Sequence, residues 1–181
     1  MLLKSSLTSG LSKQRLTLTQ RCTTSRRLYF HKDISEELTN RLIKGYKTVR
    51  TWICCTSLLT FSKITIGDPL DEKTLVGPVH NKAAVDLFRK TIEAAKAQGG
   101  QVVVGGNVLD RPGNFVEPTL IRIGSGASVL ENEAFVPISY IVEYSDLDSA
   151  IRENNKVSQG LSSSLFTRNV RSSPSMNPSL R

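Results

Sequence analysis

One cysteine with basic neighbours is the residue of this chain whose type and setting most suggest chemistry. Cys22 lies in QRCTTSRRLYFH (20–31), directly after Arg21. Three hydroxyl-bearing residues follow it and separate it from Arg26 and Arg27. The thiolate is the nucleophilic form of cysteine, and nearby cations lower a thiol's pKa. The run therefore predicts a candidate nucleophile. The alternative is a solvated cysteine whose neighbours happen to be basic.

The other residues with ligand or nucleophile chemistry form no comparable group. Cys54 and Cys55 are adjacent, which suits neither a disulfide framework nor the ligand spacing of a zinc site. An odd total of three cysteines indicates a reducing compartment. His31 and His80 are far apart, and we interpret them as a strand-end residue and a turn residue. We expect no metal site, and no Gly-rich phosphate loop is present.

The charge of the chain is concentrated at its two ends. The 181 residues carry a net charge of +8, yet residues 33–166 hold 14 basic against 16 acidic residues. A nucleic-acid partner is not expected, because a binding groove would need cations on the folded body. No apolar run approaches the ~20 residues of a membrane helix, so no membrane partner is expected either.

The first 32 residues contain seven Lys or Arg, many Ser and Thr, and no acid. This composition is typical of a mitochondrial transit peptide. An accidental basic leader explains it equally well, especially since Cys22 falls inside the segment. Both a cytoplasmic and a mitochondrial location stay open, and residues 1–19 are left as an unassigned basic leader.

The remaining pattern alternates helices with apolar strands, which predicts an α/β fold with a largely parallel sheet. A helix is expected from Asp33 to about Arg50, where the apolar residues are Ile34, Leu38, Leu42, Tyr46 and Val49. A second helix is expected from Asn81 to Gln98, with Val85, Phe88, Ile92 and Ala95 on one face. The remaining expected elements are strands at 28–31, 101–106, 114–123, 135–144 and 160–167, and a short helix at 146–156.

Three stretches depart from this alternation. Residues 51–65 contain two of the three cysteines and the single Trp without any acid, and we interpret them as an insertion whose removal would stabilise the fold. Residues 66–80 are rich in Gly and Pro and predict turns. Residues 169–181 are rich in Ser and Pro with few apolar residues, and we expect them to be disordered.

Several motifs, in this order, resemble the catalytic domain of the NAD(P)-dependent aldehyde dehydrogenases, and most closely the antiquitin group, the alpha-aminoadipic semialdehyde dehydrogenases. They are QRCTTSRRLYFH (20–31), IGDPLDEKTLVGPVHNKAAV (66–85), VVVGG (102–106), RPGNFVEPTL (111–120), NEAFVPISYIVEY (132–144) and NNKVSQGLSSSLFT (154–167). The resemblance implies a partial catalytic domain over residues 20–168. It also implies a mostly parallel sheet flanked by helices, NAD or NADP as cofactor, and a small aldehyde as substrate.

The resemblance also implies roles for four residues. Cys22 corresponds to the catalytic thiol, which attacks the aldehyde carbon and forms a thiohemiacetal, and its backbone N–H would stabilise the oxyanion. Glu133 falls in the family's Glu-x-Phe-x-Pro motif and would bind the hydroxyls of the nicotinamide ribose. Phe135 of the same motif would pack near the nicotinamide ring. Arg21 would meet a carboxylate at the far end of the substrate.

The chain also departs from the family pattern. Only 21 residues precede Cys22, so we find no counterpart of the general base, of the oxyanion Asn side chain or of the coenzyme-binding loops, and Thr19 replaces a glycine. The family is homo-oligomeric, but the resemblance ends near Arg168, before the oligomerisation tail. Two hypotheses remain open: an NAD(P)-dependent aldehyde dehydrogenase, or a catalytically inactive fragment or splice remnant of one. For the chain by itself we expect little dehydrogenase activity.

Overall fold

Helices and strands alternate along the chain, as the sequence predicts. The computed structural model describes residues 22, 24–47, 49–51, 64–159 and 161–167. The elements in chain order are β1 (Arg27–His31), α1 (Lys32–Lys47), β2 (Val49–Thr51), β3 (Ile64–Ile66), β4 (Thr74–Val76), α2 (Lys82–Ala97), β5 (Gln101–Val104), β6 (Thr119–Ile123), a short 3-10 helix (Ser128–Leu130), β7 (Ile138–Tyr144) and α3 (Leu147–Asn154).

The strands form two sheets. The larger sheet has the order β1-β7-β6-β5, in which β1, β7 and β6 are parallel and β5 runs antiparallel at the edge. The smaller sheet has the order β2-β3-β4 and is parallel throughout. The prediction of an α/β fold with a largely parallel sheet is therefore confirmed.

Two helices pack on opposite faces of the larger sheet, because successive strand residues point to opposite faces. On β6, Ile121 belongs to the cluster that includes Phe88 of α2. Its neighbour Leu120 packs instead in a second cluster with Leu42 of α1. The central strands are thus covered on both sides, which explains their nearly continuous apolar sequence.

Helix α2 matches its prediction closely. The side chain of Asn81 caps the helix by accepting a hydrogen bond from the backbone N–H of Ala84 at 2.9 Å. The helix stops before Gly99, whose φ of +83° is the left-handed conformation that glycine adopts readily. The four predicted apolar residues Val85, Phe88, Ile92 and Ala95 are all buried.

The predicted apolar face of α1 is wrong at its first residue. Ile34 is 46% exposed, whereas the polar residues Ser35 and Thr39 are buried beside Leu38 and Leu42. Leu38 and Leu42 are buried as predicted, but Ser35 is buried where Ile34 was expected, and its hydroxyl donates a hydrogen bond to Glu143 Oε1 of β7 at 2.7 Å. The helix also ends at Lys47, earlier than predicted, and Val49 belongs to β2.

Two further differences concern strands. Residues 161–167 form no strand, although one was predicted at 160–167, and Leu161 and Phe166 are 68% and 65% exposed. A short stretch with a few apolar residues forms a strand only where a neighbouring strand is available to pair with it. Conversely, the turn-rich stretch 66–80 contains the short strand β4, which is closed by a hydrogen bond from Gly67 N–H to the Val76 carbonyl.

Several predictions fall outside the described residues. These are the basic leader at 1–19, most of the proposed insertion at 51–65, and the tail at 169–181. The ends of the proposed insertion are described, and they lie in β2 and β3. Within the described part of the chain, no helix has the length and apolar character needed to cross a membrane.

Candidate active site

The pairing of β1 with β7 brings two of the predicted motifs to the same end of the sheet. The two strands are parallel, with Arg27 opposite Tyr140. The contact extends back from the strands, because Tyr140 N–H donates to the Arg26 carbonyl at 2.7 Å and the Ser139 hydroxyl donates to the Ser25 carbonyl at 3.3 Å. The cysteine and the Glu-x-Phe-x-Pro motif therefore precede neighbouring parallel strands.

Arg26 joins the two motifs through its side chain. Its Nη1 lies 2.5 Å from Glu133 Oε1, and its Nε donates to the Ala134 carbonyl at 3.1 Å. The guanidinium carbon lies 4.7 Å from the centroid of the Phe135 ring, a cation–π contact. One side chain thus contacts three consecutive residues of the motif.

The ion pair is mostly shielded from solvent. The side chains of Arg26 and Glu133 are 13% and 22% exposed, so their attraction is screened less than that of a surface pair. Among the described residues, the second carboxylate oxygen of Glu133, Oε2, has no hydrogen-bond partner. Phe135 is 40% exposed even with Arg26 against its ring. The site thus offers a carboxylate oxygen and an aromatic surface side by side.

The structure describes Cys22 as exposed. Four residues of extended chain span at most ~14 Å, so its Cα lies within that distance of the Arg26 Cα. Arg27 contacts a different part of the chain, because its Nη1 donates to the Asn154 carbonyl at 3.4 Å. That Arg26 and Arg27 point to opposite faces of the strand stays a prediction. Arg21, Cys54 and Cys55 lie outside the described residues.

The role of Arg26 was missed in the sequence, where it was interpreted only as a cation near the thiol. A usable signal was present, because β1 and β7 were both predicted as strands of one parallel sheet and each directly follows a motif. Two such strands in contact would bring the residues that precede them together.

The histidines and the surface cavities do not add to this site. His31 ends β1 as predicted, with its ring 5.5 Å from that of Tyr144 in an edge arrangement, and no metal-binding group of three side chains occurs in the described residues. A cavity of about 270 Å³ between α1 and β5 is lined by residues such as Glu36, Thr39 and Arg122, and contains none of the predicted site residues.

Comparison with known proteins identifies the family. The sequence profile of the aldehyde dehydrogenase family matches residues 56–181. This match includes Glu133 and Phe135, begins within the proposed insertion and continues past residue 168. The predicted domain bounds, and Cys22 as part of the domain, stay predictions.

Curated relatives and solved structures agree with the profile. Aldehyde dehydrogenase family 7 member A1 of Malus domestica is 46% identical over 151 residues, which cover 83% of this chain and 27% of the relative. Alpha-aminoadipic semialdehyde dehydrogenase of Bos taurus is 43% identical over 155 residues, covering 85% of this chain and 26% of the relative. An NAD+ complex of aldehyde dehydrogenase from Bacillus cereus has a TM-score of 0.77 at 21% identity, covering 94% of this chain and 32% of that one.

The chain therefore spans about a quarter of the length of the curated relatives it matches. The profile covers more than half of the chain, and the structural likeness supports the same fold. The chain belongs to the aldehyde dehydrogenase family.

Proposed function

We propose that this chain carries the catalytic-cysteine region of an NAD(P)-dependent aldehyde dehydrogenase, which oxidises an aldehyde to a carboxylic acid. The observation that supports the proposal is the contact of Arg26, four residues after Cys22 in the chain, with the Glu133–Phe135 segment that precedes the neighbouring strand. A thiol and a coenzyme-binding carboxylate must lie near each other for hydride to pass from a thiol adduct to a nicotinamide.

Cys22 acts as the nucleophile in this proposal. Its thiolate attacks the aldehyde carbon, a C–S bond forms, and the carbonyl electron pair moves to the oxygen to give a thiohemiacetal. The backbone N–H of Cys22 donates to that oxygen. When bound, NAD(P)+ supplies the acceptor for the hydride that leaves this carbon, which becomes a thioester. Water then cleaves the C–S bond, releasing the acid and the free Cys22 thiol.

Glu133 and Phe135 fit the nicotinamide end of a dinucleotide. The Oε2 oxygen of Glu133 is without a hydrogen-bond partner among the described residues, and a carboxylate is a suitable acceptor for two neighbouring ribose hydroxyls. The exposed part of the Phe135 ring supplies an apolar surface for a nicotinamide. Neither residue distinguishes NAD from NADP, whose difference lies at the adenosine end.

A semialdehyde is the candidate substrate class. The relative from Bos taurus is named for an amino-acid semialdehyde, which carries a carboxylate distant from its aldehyde. Arg21, next to Cys22 in the sequence, supplies a cation for that carboxylate. A semialdehyde should therefore be preferred over an aldehyde of equal chain length that lacks the carboxylate.

The first test compares the three thiols of the chain. We expect iodoacetamide to alkylate Cys22 at least several times faster than Cys54 or Cys55, measured peptide by peptide by mass spectrometry, because a built site presents an accessible thiolate. Denaturing the chain in guanidinium should remove the difference. Equal rates in the native chain would contradict a preformed nucleophile and favour the inactive remnant.

The second test follows the complete reaction. NADH or NADPH formation is recorded at 340 nm with butanal and with succinic semialdehyde, for the native chain, for Cys22→Ser and for the matched control Cys55→Ser. Turnover that is lost in Cys22→Ser and kept in Cys55→Ser would support the enzyme. Turnover unchanged in the Cys22 variant would remove this residue from the mechanism.

A further inference from the structure

We infer that Arg26 is a positioning residue, which fixes Glu133 and Phe135 in the orientation that presents them to a coenzyme. The orientation follows from the contacts of Arg26 with Glu133, Ala134 and Phe135, and only its purpose rests on the function proposed above. The same residue lies four positions after Cys22, so it also ties the coenzyme-contacting segment to the strand that follows the thiol.

Within the described residues, the backbone of Glu133 and Ala134 is held mainly by Arg26. Glu133 and Ala134 lie between the 3-10 helix and β7, and within the described residues neither makes a backbone-to-backbone hydrogen bond. The nearest fixed point on the β7 side is Val136, which is fully buried in the core. The Nε–H of Arg26 satisfies the Ala134 carbonyl, a function that a neighbouring strand would otherwise perform.

The guanidinium suits this role because it is planar and carries donors in fixed directions. Nη1 binds one oxygen of Glu133 while Nε binds the Ala134 carbonyl, so two donors of one rigid group fix the relation between a side chain and the backbone next to it. Its face lies against Phe135 at the same time. A lysine would retain the charge but could not make the three contacts together.

The contact with Glu133 leaves the carboxylate usable. Arg26 binds Oε1 only, and Oε2 is the oxygen without a partner in the described part of the chain. The opposite role for Arg26 would be a block, in which the guanidinium competes with ribose hydroxyls for Glu133. The two roles predict opposite effects on coenzyme affinity when the cation is removed.

The experiment measures backbone order in the full chain by ¹⁵N relaxation. In the native chain we expect order parameters near 0.85 at Glu133–Phe135, the value of a rigid backbone. In Arg26→Met, which keeps the bulk and removes the donors, they should fall below about 0.6. Arg26→Lys should give intermediate values, and Glu133→Gln should give a smaller drop than Arg26→Met, because the contacts to Ala134 and Phe135 remain.

The matched control is Arg122→Met, which breaks the ion pair of Arg122 with Glu143 on β6 and β7. It should leave the order parameters at Glu133–Phe135 unchanged. Unchanged order in Arg26→Met would overturn the positioning role. If Arg26→Met loses order equally throughout α2, Arg26→Lys and Glu133→Gln decide, because they disturb the fold less. A loss confined to Glu133–Phe135 in these variants supports the role, and no local loss overturns it.

Titration with NAD+ separates this proposal from the proposed function. If Glu133 and Phe135 contact the coenzyme, NAD+ should change the chemical shifts of their backbone amides in the native chain. Arg26→Met should then raise the Kd for NAD+ by about tenfold or more. Tighter binding by Arg26→Met would show a block and overturn the positioning role. If NAD+ moves neither shift, the coenzyme role of Glu133 fails, and the order parameters still decide whether Arg26 holds the segment.

Discussion

Tyr140 lies in an inner strand of the larger sheet, is 5% exposed, and has a phenol whose pKa burial raises to about 12. In the unfolded chain the same phenol ionises near 10.0, its ordinary value. Below pH 10 the phenol keeps its proton in both the folded and the unfolded chain, and its contribution to the free energy of unfolding is fully present. Between pH 10 and pH 12 the unfolded state loses its proton more readily, so the free energy of unfolding should fall, by on the order of 2–3 kcal/mol from this residue.

Urea unfolding at pH 8, 10 and 11.5 measures this effect. Burial also raises the pKa of Tyr29 and Tyr46, so the native chain reports the sum of several phenols. Tyr140→Phe removes one of them and should make the decline with pH shallower. A decline equally steep in this variant would show that Tyr140 does not contribute.

The sequence identifies some residues of the candidate site but not the contact between them. Glu133 and Phe135 are identifiable because they stand at fixed spacing within a motif. The ion pair between Arg26 and Glu133 is not, because its members are 107 residues apart and meet only when β1 pairs with β7. Sequence alone therefore supplies the chemical groups of the candidate site and omits the contact that orients them.

At the scale of elements, α2 has two neighbouring apolar residues of very different exposure. Phe88 is fully buried in the main core, and Leu87 is 42% exposed. Phe88→Ala should lower the free energy of unfolding by about 3–5 kcal/mol, because it removes buried surface and leaves a cavity. Leu87→Ala is the matched control and should change it by no more than about 0.5 kcal/mol. Similar losses in both variants, measured by urea unfolding, would contradict this orientation of α2.

Elements that carry their own signals are predicted well, and elements that depend on partners are not. Helix α2 has both a cap residue and an apolar period, and its bounds follow from them. In helix α1, Ile34 was predicted to be buried, but Ser35 is buried instead. Ser35 forms a hydrogen bond to another element, and an apolar pattern cannot show such a bond. The strand predicted at 160–167 is not formed, because the sequence does not reveal whether a neighbouring strand is available to pair with it.

At the scale of the whole molecule, the pairing of β2 with β3 tests the proposed insertion. The strands are parallel, so the chain must return from the end of β2 to the start of β3, and such a connection needs roughly a dozen residues or more. Residues 52–63 are the covalent path between them. Deleting 52–63 should therefore prevent this pairing and lower the free energy of unfolding by about 1–3 kcal/mol.

A variant in which 52–63 is replaced by Gly and Ser at the same length is the control. It should lose less stability than the deletion, because the length of the connection is kept while its side chains are removed. The insertion hypothesis predicts the opposite for the deletion, a rise in stability. Urea unfolding of the two variants beside the native chain decides between these outcomes.

β1 pairs with β7, the strand of the larger sheet that is synthesised last. This pairing determines when the candidate site can form during synthesis. Arg26 and Glu133 are 107 residues apart. At about 5–20 residues per second, translation of that interval takes roughly 5–20 s. During this interval Cys22 and β1 have been synthesised and their partner strand does not yet exist. The exposed thiol and an unpaired apolar strand are therefore available to oxidants and chaperones before any coenzyme can reach them.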